Sequence, residues 1–133
     1  MIGRLSSDLL DVLLETLPVE FSIVDHNDKV IAWNRHGSRL FKRPENVLGR
    51  DVRDCHPKAS LDKVEQLLEE MKSGQREMAR FWIDIKSESG PVQKILIDYY
   101  ALRGSGGQYL GCLEVTRNIS EIQSLKGEKR LLD

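Results

Sequence analysis

The sequence predicts an α+β domain organised around an antiparallel sheet, and three observations predict it. Between Ala79 and Ser120, three runs alternate their residues with the period of two that a pleated strand imposes. Ser89-Gly90 and Gly104-Ser105-Gly106-Gly107 separate those runs as hairpin turns, because glycine reaches positive φ without a Cβ penalty. Ahead of them lie two short strand-like runs and then a group of short helices, so strands and helices are grouped and not interleaved.

In chain order, Ser6 to Leu17 places Leu9, Leu10, Val12, Leu13, Leu14 and Leu17 at helical spacing, with Asp8, Asp11 and Glu15 opposite. Ser6 or Ser7 suits the N-cap, and Pro18 stops the helix. Val19 to Asp25 and Lys29 to Asn34 read as two strands joined by the turn His26-Asn27-Asp28. Arg35 to Lys42 reads as a short helix burying Leu40 and Phe41, and His26 and His36 read as surface residues. Pro44 to Val47 reads as a further turn before Gly49. Pro57 restrains His56 to an extended backbone, which makes Cys55-His56-Pro57 a fixed corner, with the His56 imidazole read as bonded to backbone or a carboxylate ahead of a ligand contact. Ser60 is placed as N-cap of the strongest helix, Leu61 to Ser73, whose apolar stripe is Leu61, Val64, Leu67, Leu68 and Met71, and Gly74 ends it. The strands Arg80–Ser87, Gln93–Arg103 and Gln108–Ile119 follow. Asp51 to Asp54 and Lys126 to Arg130 read as solvated charge, and the tail after Glu121 is compatible with a helix interrupted at Gly127.

Composition narrows the function classes. At 133 residues the chain fits one domain with a moderate core. A net charge of -1, from 20 basic and 21 acidic residues well mixed, leaves no electrostatic footprint for nucleic acid or an anionic membrane. No apolar run approaches the roughly 20 residues of a membrane span, which predicts a cytoplasmic location. Cys55 and Cys112 lie in different segments with no metal-binding spacing and are expected to stay thiols. Metal spacing, a phosphate-binding glycine loop and a nucleophile with a base at usable spacing are all missing, so an enzyme ranks last.

Particular residues carry a family resemblance. Phe21-Ser22-Ile23-Val24-Asp25 with Asn34 at the end of the second strand, the Val47-Leu48-Gly49-Arg50 step and the closing Val115 to Glu121 resemble a PAS domain over about Pro18 to Glu121. More narrowly, Cys55-His56-Pro57, Phe81-Trp82-Ile83, Tyr109 to Val115 and the tail from Leu125 to Asp133 resemble the PAS module that ends hemerythrin-like bacterial and archaeal proteins of unassigned function. The chain then divides into an amphipathic helix over 1–17, a PAS domain over 18–121 and a tail over 122–133. The resemblance implies a five-stranded antiparallel sheet with short helices on one face enclosing a small cavity. It implies a sensory or signal-transduction module that binds a small molecule or a partner protein, with signal passing through its terminal helices.

The family register places Phe81, Ile83, Ile85, Ile95, Ile97, Tyr99, Cys112, Glu114 and Thr116 on the inner face, leaving Trp82, Leu96, Tyr100, Leu113 and Val115 outside. So apolar an outer face needs a cover, a role assigned to the Leu9–Leu17 helix, which predicts a homodimer through that helix. The expected cavity residues are Cys55, His56, Ile83, Ile97, Tyr99, Cys112, Glu114 and Thr116. Glu114 stands out because an inward carboxylate is costly to desolvate unless paired, with His56, Arg50, Tyr99 or a ligand as its partner. A connected set of Glu114, Tyr99 and His56 would respond to pH over about pH 6 to 8. Cofactor motifs are not inherited: Val52 occupies the place of the photoactive cysteine of flavin-binding LOV domains, and the Leu61–Ser73 helix lacks the haem histidine of oxygen-sensing PAS domains. Neither flavin nor haem is therefore supported by motif. The expected occupant is a small apolar ligand, with output to a separate signalling partner if the chain is natural at this length. The alternatives are a pure interaction module whose core is filled by Phe81, Tyr99 and aliphatic side chains, and a haem sensor using Cys55 or His56.

Overall fold

The computed structural model describes residues 1–35 and 39–132. Helix α1 (Ser7–Thr16) precedes β1 (Glu20–Asp25) and β2 (Val30–Trp33); three short 3-10 turns lead into α2 (Leu61–Lys72), and β3 (Met78–Ile85), β4 (Gln93–Arg103) and β5 (Tyr109–Asn118) complete the sheet before the short α3 (Ser120–Gln123). All five strands form one antiparallel sheet in the order β2-β1-β5-β4-β3. The first hairpin therefore docks on the last strand, and the helical segment fills the excursion between β2 and β3.

Local chemistry explains most boundaries. Ser6 caps α1, its hydroxyl accepting from the Leu9 amide at 3.2 Å. Gly74, at φ +82°, closes α2 in a Schellman arrangement, with its own N–H on the Met71 carbonyl and that of Gln75 on Glu70. Ser60 does not cap α2 through its side chain: a 3-10 turn, Lys58–Ser60, runs directly into the helix and holds Ser60 in helical conformation. In the tail, only Ser120–Gln123 is helical, and the residues beyond it are exposed.

The segment expected as a helix over Arg35–Lys42 behaves differently. Positions 36–38, His36 among them, lie outside the described residues, and residues 39–42 hold no helix, with bends at Leu40 and Phe41. The Leu40 and Phe41 amides donate to the Glu20 carboxylate at 2.6 and 3.0 Å, so they are unavailable to a helical ladder. Leu40 is consequently exposed and Phe41 half-buried. Residues 39–43 thus form a strap laid across one end of the sheet.

Strand pairing fixes two faces. Phe81, Ile97, Thr116 and Glu20 form one cross-strand row, and Tyr99, Glu114 and Ser22 the next, all on the face toward α2. A buried core joins this face to the helices through Val24, Val30, Val52, Leu68, Met71 and Cys112. Asn34, almost fully buried, locks the first hairpin from its edge: its side chain accepts from the Phe21 amide at 2.9 Å and donates to the Val19 carbonyl at 2.7 Å.

The opposite face carries Trp82, Leu96, Leu113 and Val115, with an Asp98–Arg80 bidentate pair at 2.6 and 2.8 Å in its midst. Within one chain α1 does not cover that face. Every apolar residue of its stripe except the half-buried Leu14 is exposed, and Trp82 remains 62% exposed. Among the described residues, the polar tie between α1 and the domain is the Glu15 carboxylate, which accepts from the Arg35 amide at 2.8 Å.

Asp51 to Asp54 also departs from a solvated face. Arg53 is a hub: it pairs with Asp28 and Asp51, each at 3.0 Å, and with Glu65 of α2. Lys72 adds a 2.7 Å contact to the same Asp28, which sits buried at φ +63° in the β1–β2 turn. This network ties the first hairpin to α2. Among the described residues no helix is long and apolar enough to cross a membrane.

Candidate functional site

A cavity of about 950 Å³ lies between α2, the Cys55–Ser60 corner, the strap and the inner sheet face. Its walls are mainly apolar, with Val64, Leu67 and Leu68 from α2 opposite Phe81 and Ile97 from the sheet. The volume is at the upper end of the roughly 300–1,000 Å³ typical of small-molecule sites. Phe81 stacks on Tyr99 with ring centroids 5.7 Å apart, so one wall is aromatic.

Six of the eight expected residues line this space: Cys55, His56, Ile97, Tyr99, Cys112 and Glu114. Thr116 and Ile83 do not. Thr116 shares the inner face but is 1% exposed, paired across the ladder with Glu20, and its hydroxyl has no hydrogen-bond partner among the described residues. Ile83 lies further along β3, past the end of α2, and is 39% exposed.

The polar end of the cavity is built on two strands and the strap. Tyr99 and Glu114 are direct cross-strand partners, which brings their side chains to the same face, and the Tyr99 hydroxyl donates to Glu114 Oε2 at 2.7 Å. Arg43 approaches the other oxygen, Oε1, at 3.8 Å, a charge contact longer than a hydrogen bond. Its Nε is buried with no acceptor among the described residues, an arrangement that costs about 1–3 kcal/mol. Burial, reinforced by the Glu114 charge, raises the Tyr99 phenol above its usual range. The same two causes push the Cys112 thiol up to about 12, which keeps it protonated and unreactive as a nucleophile near neutrality.

His56 is not part of that set. Its Nδ1 lies 2.9 Å from the Val52 carbonyl, and a carbonyl only accepts, so Nδ1 carries the hydrogen. No hydrogen bond or ion pair joins His56 to Glu114 or Tyr99 among the described residues; Arg43 stands where His56 was expected. The cause is local: residues Val52–Cys55 form a 3-10 turn, and the imidazole closes back on its first carbonyl. The corner itself is as expected, with His56 extended at φ -123°, ψ 146° ahead of Pro57. Cys55 closes the turn instead of continuing an extended segment, and its thiol points to the Asp51 carbonyl at 3.9 Å, without engaging His56.

Two functional candidates escaped the sequence reading, Arg43 and Glu20. The strap is anchored by Glu20, 6% exposed, which takes the two strap amides and a 3.7 Å contact from Arg39. Arg39 also donates to the Asn34 carbonyl and side chain at 2.8 and 3.0 Å. The available signal was the two-residue spacing of Glu20 and Ser22 on the first strand, which places Glu20 inward. The basic residues at 39, 42 and 43 were then its natural partners.

Comparison with known proteins agrees with this architecture. A family profile described as a PAS domain matches residues 10–120. The C-terminal domain of a Streptococcus mutans protein is similar at 30% identity and a TM-score of 0.83, the match covering 95% of this chain and 94% of that one. At lower identity the fold is shared with the PAS domain of a Colwellia psychrerythraea protein (16%, TM-score 0.62, covering 86% of this chain and 97% of that one). It is shared likewise with the PAS domain of Bordetella pertussis BvgS (16%, TM-score 0.63, covering 85% of each). No curated protein matches the chain. With its profile match, its sheet order and its helix-walled inner face, the chain belongs to the PAS domain family of sensory modules.

Proposed function

We infer that the chain is a signal-transduction module in which a small molecule occupies the cavity between α2 and the inner sheet face. The observation that carries this reading is the combination of apolar walls with one convergent polar cluster, Tyr99, Glu114 and Arg43, at the end closed by the strap. Cys55, His56, Ile97 and Cys112 complete the proposed contact surface. A ligand that touches the strap and α2 together biases the position of both, which is how occupancy becomes a conformational signal. The test is native mass spectrometry together with an absorbance spectrum of the purified protein. A small-molecule adduct without a flavin or Soret band is expected, whereas a coloured protein would point instead to a haem at His56 or Cys55, with Nε2 the ring nitrogen left free by the bond to Val52.

A second reading concerns a protein partner and is favoured by a different observation. The exposed α1 stripe and an outer sheet face on which Trp82 is exposed and Leu96, Leu113 and Val115 are half-buried offer two incompletely covered surfaces on one chain. A homodimer in which α1 packs on a second copy would cover both. The narrower resemblance also enters here: the Streptococcus mutans relative is a C-terminal domain, and a module that ends a longer sensor is the architecture of the hemerythrin-like proteins. We place the chain in that setting, with output through its terminal helices to a separate partner.

A further inference from the structure

We propose that the cavity takes an amphipathic carboxylate, its anionic group at Arg43 and its alkyl or aromatic body between α2 and the sheet. This rests on the sensor reading above and specifies the class of molecule sensed. Arg43 is the starting point. Its side chain is 14% exposed, yet among the described residues its only polar contact is the 3.8 Å approach to Glu114, and its Nε is buried without an acceptor. A planar fork of donors lacking acceptors matches the two oxygens of a carboxylate, which it can hold bidentate.

Glu114 does not depend on Arg43 to stay hydrogen-bonded, because the Tyr99 hydroxyl already donates to it at 2.7 Å. The guanidinium is therefore free to turn from Glu114 toward a ligand without orphaning the carboxylate. Charge points the same way: Lys42, Arg43 and Lys63 border the cavity against the single carboxylate of Glu114. The cations exceed the one carboxylate, which favours an anion, and a single negative charge is preferred because a second would be brought up against Glu114 beside the one guanidinium that lines the cavity. The remaining walls, Val64, Leu67, Leu68, Phe81 and Ile97, ask for carbon. Because Arg43 belongs to the strap anchored on Glu20, such a ligand draws the strap onto the cavity in place of the contact with β5.

The test is isothermal titration of the full chain with two matched pairs, octanoate against 1-octanol and 4-phenylbutyrate against 4-phenylbutan-1-ol. At least one acid should bind saturably at one site and about tenfold or more tightly than its alcohol, the preference a buried charge-assisted contact confers. Arg43→Gln should bring that acid down to the affinity of its alcohol, and Lys86→Gln, exposed and outside the cavity lining, should leave the preference in place. Equal binding of acid and alcohol by the unaltered chain overturns the carboxylate assignment while leaving a sensor of neutral molecules. That comparison needs no variant and decides the matter even if Arg43→Gln fails to fold. Retention of the preference in a folded Arg43→Gln overturns it as well. Failure of all four probes to bind overturns the inference, and a small-molecule adduct in the native mass spectrum would show that the sensor reading survives it.

Discussion

Tyr99 shows how a single side chain couples the sheet to the cavity. Its hydroxyl is the only hydrogen-bond donor to Glu114 among the described residues, so Tyr99→Phe should destabilise the fold by roughly 1–3 kcal/mol, measured by urea unfolding at neutral pH. The phenol is raised above its ordinary 10.0 and the Cys112 thiol above its ordinary 9.0, both chiefly by burial. The folded chain therefore holds protons that the unfolded chain releases. Stability is fully present below about pH 9 and falls as pH rises through 9 and 10, with the phenol of Tyr99→Phe absent from that loss. Unfolding midpoints between pH 8 and 11 check this. Gly111 is constrained in another way. A Cβ there would stand 2.2 Å from the Val24 carbonyl oxygen, so Gly111→Ala should cost about 1–3 kcal/mol by forcing β1 and β5 apart, read from the same denaturation curves. The inward registers of Tyr99 and Glu114 were legible because the family resemblance chose the inner face and alternation along a strand, which is local, carried that choice from residue to residue. Arg43 was not, because its meeting with Glu114 depends on the path of a loop with no periodicity. For His56 the expected structural corner, with its ring bonded to backbone or a carboxylate, is met by the backbone alternative, the Val52 carbonyl.

Among the elements, the strands were the most readable, each beginning and ending within two residues of its predicted bounds, since alternation marks a run and the glycine-bearing turns mark its ends. Of those turn glycines, however, only Gly107, at φ +81°, takes the positive φ expected of them. The strap was the least readable. Leu40 and Phe41 look helical by composition, yet the Glu20 carboxylate outcompetes helical carbonyls for their amides, and only the tertiary structure brings that carboxylate near. The packing of α2 has a comparable polar lock. Burial opposes ionisation of Asp51, but the Arg53 amide and guanidinium overcome it and hold the carboxyl below its usual range. Arg53→Ala removes ties to Asp28, Asp51 and Glu65 together and leaves Asp28 with Lys72 alone. A loss of about 1–3 kcal/mol is expected, with faster hydrogen exchange in α2 than in β4. For α1, the proposed dimer gives a sharp outcome. Deleting residues 1–17 should leave a monomer or an aggregating domain in a sedimentation experiment, and an unchanged dimer mass would remove α1 from the interface.

For the whole molecule, the sheet order places the first and last strands side by side at its centre, with Glu20 opposite Thr116. Because the pair is antiparallel, the chain enters β1 and leaves β5 at the same end of the sheet, about one strand spacing of roughly 4.8 Å apart. The consequence is mechanical. Tension applied through the two ends runs across the β1–β5 ladder and not along it, so the backbone bonds between those strands bear load one pair at a time, beginning beside Glu20. A domain connected in this way peels open at low force, as single-molecule pulling from its ends would record, whereas attachment through the β3–β4 and β4–β5 turns would load the sheet lengthwise and demand more. The strap anchor on Glu20 sits at the first rung of that zipper, so tension on the flanking helices reaches the cavity lid before it reaches the core.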